Sequence, residues 1–457
     1  MLIEKKIESE GRKLIEEPIN DEKDFESYKK AKNYYKSCMD EEKQNERSVK
    51  PLMDILGKIG GMPVLKGNAW DGEQFNIWDS NIILKHLGIS SNYFATINVG
   101  TDNRNNTFRV IHFGSASLLL PKTYWDKGIN EPLVQGYSQI MIKGAIHLGA
   151  EVDKAKEELQ KVFELEMKLA SISLSGEDQR NRTKLYNPTT LAQVPVSEQL
   201  PQSWTIHLQK LFDFDDEKLD IQDTERVIVT DVDFYKNLSA ILQSTDKRTL
   251  ANYVGWRVAA DLFNFLGSEE RAISQIFTKA LDGVDQKQPR WKTCLKNVGF
   301  NNMNGGAFSF AVSSMYARNM FNVDSKKQVV DISKHIRRAF AKILNELEWM
   351  DDDTKKEARK KLSKMKEFIA YPEEILIKEK VDGFYADLDL DKADYFGNVL
   401  KIRKHYGKYY DLQLREVIDP EDWRDFVVAV VNAFYNYAKN AFTFPAGILQ
   451  GNHCESS

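Results

Sequence analysis

The chain has 457 residues, 42% apolar and 29% charged, an ordinary composition for a soluble globular protein of up to three domains. Its 64 Lys and Arg against 68 Asp and Glu leave a formal charge of −4, which excludes a strongly basic nucleic-acid footprint. Three Cys and seven His are too few for a dense disulfide framework or a cysteine-based metal site.

The first 50 or so residues are rich in Lys and Glu, with apolar residues at helical spacing (Leu14, Ile15, then Phe25, Tyr28, Tyr34, Tyr35). Pro18 divides them into two helices. Val49 to Gly60 reads as an amphipathic helix carrying Leu52, Ile55, Leu56 and Ile59, stopped by Gly60-Gly61 and Pro63. Phe94 to Leu120 alternates around Asn103-Arg104-Asn105-Asn106 and predicts a hairpin or a pair of short strands. Helices then dominate. Gly149 to Leu174 places Val152, Ala155, Leu159, Val162, Phe163, Glu166 and Leu169 on one face; Asp231 to Leu242 and Leu250 to Leu266 follow. Val329 to Leu347 is the clearest helix, with Val329, Ile332, Ile336, Ala339, Phe340, Ile343 and Leu347 at i, i+3, i+4, i+7 spacing. Asp351-Asp352-Asp353-Thr354 offers N-caps for a further helix to about Phe368. Near the C-terminus, the run Phe426 to Val431 and the segment Ala441 to Pro445 read as two extended segments joined by a turn.

No run approaches the ~18 apolar residues of a membrane span, and the N-terminus has no apolar core of a signal peptide. These ends alone indicate a cytosolic chain. Three sequons, at Asn105, Asn181 and Asn237, would instead be glycosylation sites in a secreted protein. No Walker A loop and no Gly-x-Ser-x-Gly elbow occurs. None of the histidines (His86, His112, His147, His207, His335, His405, His453) is followed by Glu, and no two are four apart, so His-Glu-x-x-His is absent. Carboxylate pairs such as Asp215-Asp216 and Asp351 to Asp353 carry no message on their own. No complete catalytic constellation emerges from the residues.

Several strings, in order, resemble the neprilysin and endothelin-converting-enzyme family of zinc metallopeptidases. They are Tyr34-Tyr35-Lys36-Ser37-Cys38-Met39-Asp40, Ile59-Gly60-Gly61-Met62-Pro63, Tyr186 to Ala192, Leu250-Ala251-Asn252-Tyr253-Val254-Gly255-Trp256-Arg257, Pro289 to Cys294 and Leu344 to Asp351. Val431-Asn432-Ala433-Phe434-Tyr435 and Phe444-Pro445-Ala446-Gly447-Ile448-Leu449-Gln450 complete the set.

The resemblance implies a mainly α fold: a large helical domain with a small β element near 94–120 and the first strands of an incomplete zincin-like catalytic domain. It divides the chain into a helix-rich region 1–390, a connecting helical segment 391–424 and the start of the catalytic domain at 425–457. It implies a disulfide between Cys38 and Cys294 in an extracellular or plasma-membrane ectodomain, whose closed loop of roughly 255 residues would contribute ~5 kcal/mol on the chain-entropy model; two buried free thiols are the alternative. It implies that Asn432 and Ala433 hold the backbone of a bound peptide, an amide being able to donate to and accept from one peptide unit; a turn-capping Asn432 is the alternative. In the family, the zinc motif and further ligands lie beyond the Phe-Pro-Ala-Gly-Ile-Leu-Gln string, and a membrane helix precedes the point matching Met1. The tail Gly451 to Ser457, with Cys454, departs from the family. The expected protein is therefore the N-terminal portion of a zinc metalloendopeptidase, with no catalytic residue and no zinc of its own and with peptides as its partners. The alternative is a non-catalytic peptide-binding or decoy protein.

Overall fold

The computed structural model describes residues 2–214, 217–282, 288–423 and 427–450. Asp215-Asp216, Phe426 and the tail with His453 and Cys454 lie outside the described residues. The chain forms two compact units. One comprises Met1–Asp40, Gln288–Asp394 and Asp419–Ser457; the other comprises Glu41–Lys287 and Tyr395–Ile418. The linear segments 1–390, 391–424 and 425–457 follow different lines, because the chain leaves the first unit after Asp40 and re-enters it at Gln288.

In the unit built around residues 41–287, the expected hairpin forms from β1 (Thr96–Thr101) and β2 (Arg109–Gly114), antiparallel with Thr96 opposite Gly114. Two strands that the alternation did not reveal complete this sheet. They are β3 (Pro188–Thr190) and β4 (Arg226–Val229), in the order β1-β2-β4-β3, with β4 parallel to β2. Strands of three and four residues leave little periodicity to read.

Long helices cover this sheet's surroundings. In Val152–Ile172, Ala155, Leu159, Val162, Phe163 and Leu169 are buried, while Val152, at the first turn, is 44% exposed. Glu166 shares the buried face because its carboxylate is satisfied there. It accepts from Tyr137 Oη at 2.6 Å and from Leu119 N at 3.2 Å, and Arg257 lies 3.8 Å away. The helix Lys247–Leu262 packs so closely on Met62 that a Cβ at Gly255 would lie 2.7 Å from Met62 Cγ. His207 packs edge-on against the rings of both Trp78 and Trp204, and its Nε2 donates to Asn81 Oδ1 at 3.0 Å. Burial, then the charge of Lys210, push this imidazole down to about 4.

The other unit starts with the two expected helices, Leu2–Glu16 and Glu26–Met39, which bury Ile7, Leu14, Ile15, Tyr28, Tyr34 and Tyr35. Cys38 and Cys294 form a disulfide that ties Glu26–Met39 to the helix Arg290–Val298, and both cysteines are fully buried. The second sheet holds β5 (Lys366–Ala370), β6 (Phe434–Asn436) and β7 (Ala441–Pro445), in the order β5-β7-β6. Two expectations change here. The helix capped by Asp351 ends at Ser363 rather than near Phe368, because Lys366–Ala370 pairs in parallel with Ala441–Pro445. Val427–Val430 is buried but forms no strand. Its backbone bonds go to Asn301 N, Ser313 Oγ and Gly447 N, so the ladder starts only at Phe434. No helix among the described residues is long and apolar enough to cross a membrane.

Replacing Cys38 and Cys294 together by Ala should lower stability by up to ~5 kcal/mol, read as a lower urea midpoint; an unchanged midpoint would contradict this. His207 gives a pH test. Its folded value of about 4 lies below the unfolded 6.5, so as pH falls the unfolded chain takes up the proton first. The stability this contributes is complete above pH 6.5 and is lost toward pH 4, on the order of 3 kcal/mol in all. His207→Gln should flatten that part of the urea-midpoint profile. Identical acid slopes in both proteins would refute the assignment.

Candidate functional site

The residues singled out near the C-terminus meet at the edge of the β5-β7-β6 sheet. Among the described residues β6 is one of the sheet's two outer strands, and Asn432 and Ala433 lie immediately before it. Ala433 is exposed and Asn432 is half-buried. Asn432 Oδ1 accepts from Ala433 N at 2.8 Å, and its Nδ2 donates to Met303 Sδ at 3.1 Å. Sulfur is a weak acceptor and the Ala433 bond is purely local. The amide therefore has partners that a peptide unit could replace with stronger ones. Part of the turn-capping alternative is thus present, since Asn432 does bond its neighbour's N–H.

The turn that follows β7 fixes this edge from behind. Gly447 N donates to Val428 O at 3.0 Å. A Cβ at Gly447 would lie 2.5 Å from Val430 O, so only glycine lets the two backbones approach this closely. Gln450 Nε2 donates to Met320 O at 3.0 Å and anchors the end of the same string. Thr443 turns toward the interior, and Phe442 and Phe444 stand on the opposite face with rings 5.5 Å apart. Tyr435, opposite Phe442 in the ladder, shares that face and is 47% exposed.

On this face lies an apolar groove of about 510 Å³, between Phe442, Phe444 and Ile448 on one side and Ile332, Ile336 and Phe340 on the other. The latter three belong to the helix Val323–Glu346, whose apolar stripe was the clearest in the sequence. That stripe is not core: Ile332, Ile336, Phe340 and Ile343 are 57%, 62%, 46% and 49% exposed. Arg337 holds the helix in place. It donates to Glu367 Oε1 at 2.5 Å and to the carbonyls of Leu362 and Met365 at 2.7 and 2.8 Å. The groove residues escaped the sequence reading because β7 is about a hundred residues from the helix, and only the helix half of the groove had a visible period.

The remaining sequence candidates lie elsewhere. Asn105, Asn181 and Asn237 are all exposed and all belong to the unit of residues 41–287. Asp351 to Asp353 serve the helix start, with Asp351 Oδ1 accepting from Thr354 N at 2.8 Å. Among the described residues no three His, Cys, Asp or Glu side chains gather as a donor set, so these residues do not fit a zinc ion.

Residues 1–372 match the family model described as Peptidase family M13. The chain is 34% identical over 426 residues to Neprilysin-2 of Drosophila melanogaster, covering 92% of this chain and 54% of that protein. It is 31% identical over 453 residues to Neprilysin of Homo sapiens, covering 96% and 59%. The fold matches the Mycobacterium tuberculosis zinc metalloprotease ZMP1, crystallised with an inhibitor, at a TM-score of 0.80 and 21% identity, over 98% of this chain and 64% of that one. The chain thus spans between half and three-fifths of the length of these curated relatives. It belongs to peptidase family M13.

Proposed function

We propose that this chain supplies the helical scaffold and the substrate-binding edge of an M13 zinc endopeptidase that hydrolyses peptides, and that the chain alone binds peptides without cleaving them. The observation that carries the reading is the placement of Asn432 and Ala433 directly before an outer strand, beside an apolar groove. An extended peptide added along β6 would bond main chain to main chain, with the Asn432 amide pairing with one of its peptide units. Such contacts ignore side-chain identity; the groove would add preference for apolar side chains. Zinc, when held by a complete family member, polarises the scissile carbonyl and activates water. The 457 residues contain no His-Glu-x-x-His, which motivates the expectation of binding without hydrolysis. The buried Cys38–Cys294 disulfide supports an oxidising, extracellular setting, as in an ectodomain.

The groove has a second role in this reading. Its occupant is the stretch of polypeptide that the relatives carry and this chain does not span. An exposed stripe of Ile332, Ile336, Phe340 and Ile343 is larger than the scattered apolar residues of an ordinary surface. A non-catalytic peptide-binding protein is the second reading, favoured by the absent zinc motif; it keeps the edge and leaves the groove open.

Two measurements test this. The purified chain, given zinc and a fluorogenic peptide, should show no chelator-sensitive cleavage, while calorimetric titration with an extended apolar peptide should show binding weakened several-fold by Asn432→Ala. Chelator-sensitive turnover would overturn the inactivity, and absence of binding would overturn the edge. Separately, the chain should self-associate in light scattering, and Ile336→Glu with Phe340→Glu should restore a monomer. A monodisperse unsubstituted chain at high concentration would contradict the open groove.

A further inference from the structure

We propose that Met303 is a site of reversible oxidation by hydrogen peroxide, and that its sulfoxide takes the Asn432 amide away from a bound peptide. The consequence for peptides rests on the reading of Asn432 given above; the oxidation itself rests on exposure and geometry alone.

Of the methionines among the described residues, Met303 is the most exposed, at 59%; Met53, in the helix Lys50–Lys58 of the other unit, follows at 36%. The remainder are partly or fully buried. A thioether needs no ionisation to react, so access of peroxide to sulfur decides which methionine is oxidised. Met303 also has the contact that gives oxidation a consequence, since its Sδ accepts from Asn432 Nδ2 at 3.1 Å.

The surrounding backbone holds that contact. Met303 lies in the loop 299–308 between the helices Arg290–Val298 and Ser309–Asn319. Asn301 adopts the left-handed region, with φ at 47°, which asparagine tolerates. From there its N donates to Ala429 O at 2.9 Å, on the segment that leads to Asn432. Asn302 closes the turn, its Nδ2 donating to Lys296 O at 3.0 Å and its Oδ1 accepting from Asn304 N at 3.1 Å. A Cβ at Gly306 would lie 2.4 Å from Gly299 N, so the two ends of the loop approach as closely as glycine allows. The loop is thus fixed against the segment that carries Asn432.

In the reaction a sulfur lone pair attacks one peroxide oxygen. The S–O bond forms and the O–O bond breaks; the departing hydroxide takes the proton of the transferred hydroxyl and leaves as water. Sulfur gives up two electrons and peroxide gains them. The product changes the competition at Asn432. A thioether sulfur is a weak acceptor that a peptide carbonyl displaces easily, whereas a sulfoxide oxygen is a polar, strong one. Rotation within the flexible Met303 side chain brings this oxygen onto Asn432 Nδ2. The amide donor is then occupied, and a peptide along β6 loses that bond. Reduction of the sulfoxide restores the thioether and the edge.

The test uses the full chain, with Cys454 alkylated beforehand so that peroxide meets no thiol there. After dilute hydrogen peroxide, peptide mapping by mass spectrometry should show Met303 gaining one oxygen several times faster than Met53. In a chain labelled with heavy-nitrogen asparagine, the side-chain amide resonance of Asn432, assigned by its loss in Asn432→Ala, should move on oxidation and return after treatment with methionine sulfoxide reductases. Calorimetry with an extended apolar peptide should show affinity about fivefold lower for the oxidised chain. Met303→Gln should lower affinity without peroxide, and Met303→Leu should make the treated and untreated affinities equal. Met53 oxidised ahead of Met303, an unmoved Asn432 resonance, or equal peptide binding by the oxidised and unoxidised chain would overturn this proposal and leave the binding edge standing. Binding by neither form would overturn the edge, and the effect of oxidation on peptides with it.

Discussion

The Cys38–Cys294 bridge stands at the point where the chain leaves one compact unit and returns to it. Cys38 lies two residues before the departure at Asp40, and Cys294 lies six residues after the return at Gln288. A unit assembled from three separated segments must hold its first two together across a long excursion. The entropy of that closure grows only slowly with length, but it has to be offset before any contact between the segments can form. The bridge removes this freedom from the unfolded chain. Neighbouring bonds reinforce the same junction: Arg290 Nε donates to Cys38 O at 2.9 Å, and Lys292 Nζ reaches Glu8 Oε2 at 2.7 Å.

The excursion itself is held by buried carboxylates with complete partners. Glu158 takes a two-pronged bond from Arg248 (3.0 and 2.8 Å) and one from Asn252 Nδ2 at 2.7 Å. Arg248 also donates to the carbonyls of Pro63 and Gly67, and Asn252 Oδ1 accepts from Val64 N. Buried charge is costly unless it is paired in this way, and removing one partner strands the other. Such a network fixes the geometry of the helices it joins more than it adds net stability.

This network also explains what the sequence made legible. Several of the strings that carried the family resemblance meet in space. Ile59-Gly60-Gly61-Met62-Pro63 meets Leu250 to Arg257 where Met62 packs against Gly255, and flanking bonds reinforce the contact, Arg248 donating to Pro63 O and Val64 N donating to Asn252 Oδ1. The Cys38 string meets the Cys294 string through sulfur, and the Val431 to Tyr435 string pairs through Phe434 and Tyr435 with β7, the strand on which the Phe444 string begins. The residues of these paired strings answer to partners far along the chain. Helices announced themselves through local period, as did the hairpin. β3, β4 and β5 did not, because their register is set by distant neighbours and their length is too short to show alternation. The groove beside β7 was half-visible for the same reason: the helix stripe is periodic, but its partner faces are not contiguous in sequence.

The helix Val323–Glu346 thus poses a physical question that its sequence could not. Its stripe has the spacing of a core helix, yet four of its apolar residues are about half exposed or more. Arg337 is the reason the helix does not turn that stripe inward. Its guanidinium is committed to Glu367 and to two carbonyls at the end of the Asp352–Ser363 helix, so rotation about the helix axis would break three hydrogen bonds and leave those acceptors unmet. Arg337 and the apolar stripe therefore act together: the polar contact clamps the helix to β5, and the clamp keeps Ile332, Ile336 and Phe340 facing the groove. The same sheet presents Phe442 and Phe444 to the groove and β6 to its edge. An apolar surface held open by a dedicated polar clamp, next to a strand edge, is the arrangement that the proposed contact with another stretch of polypeptide would use.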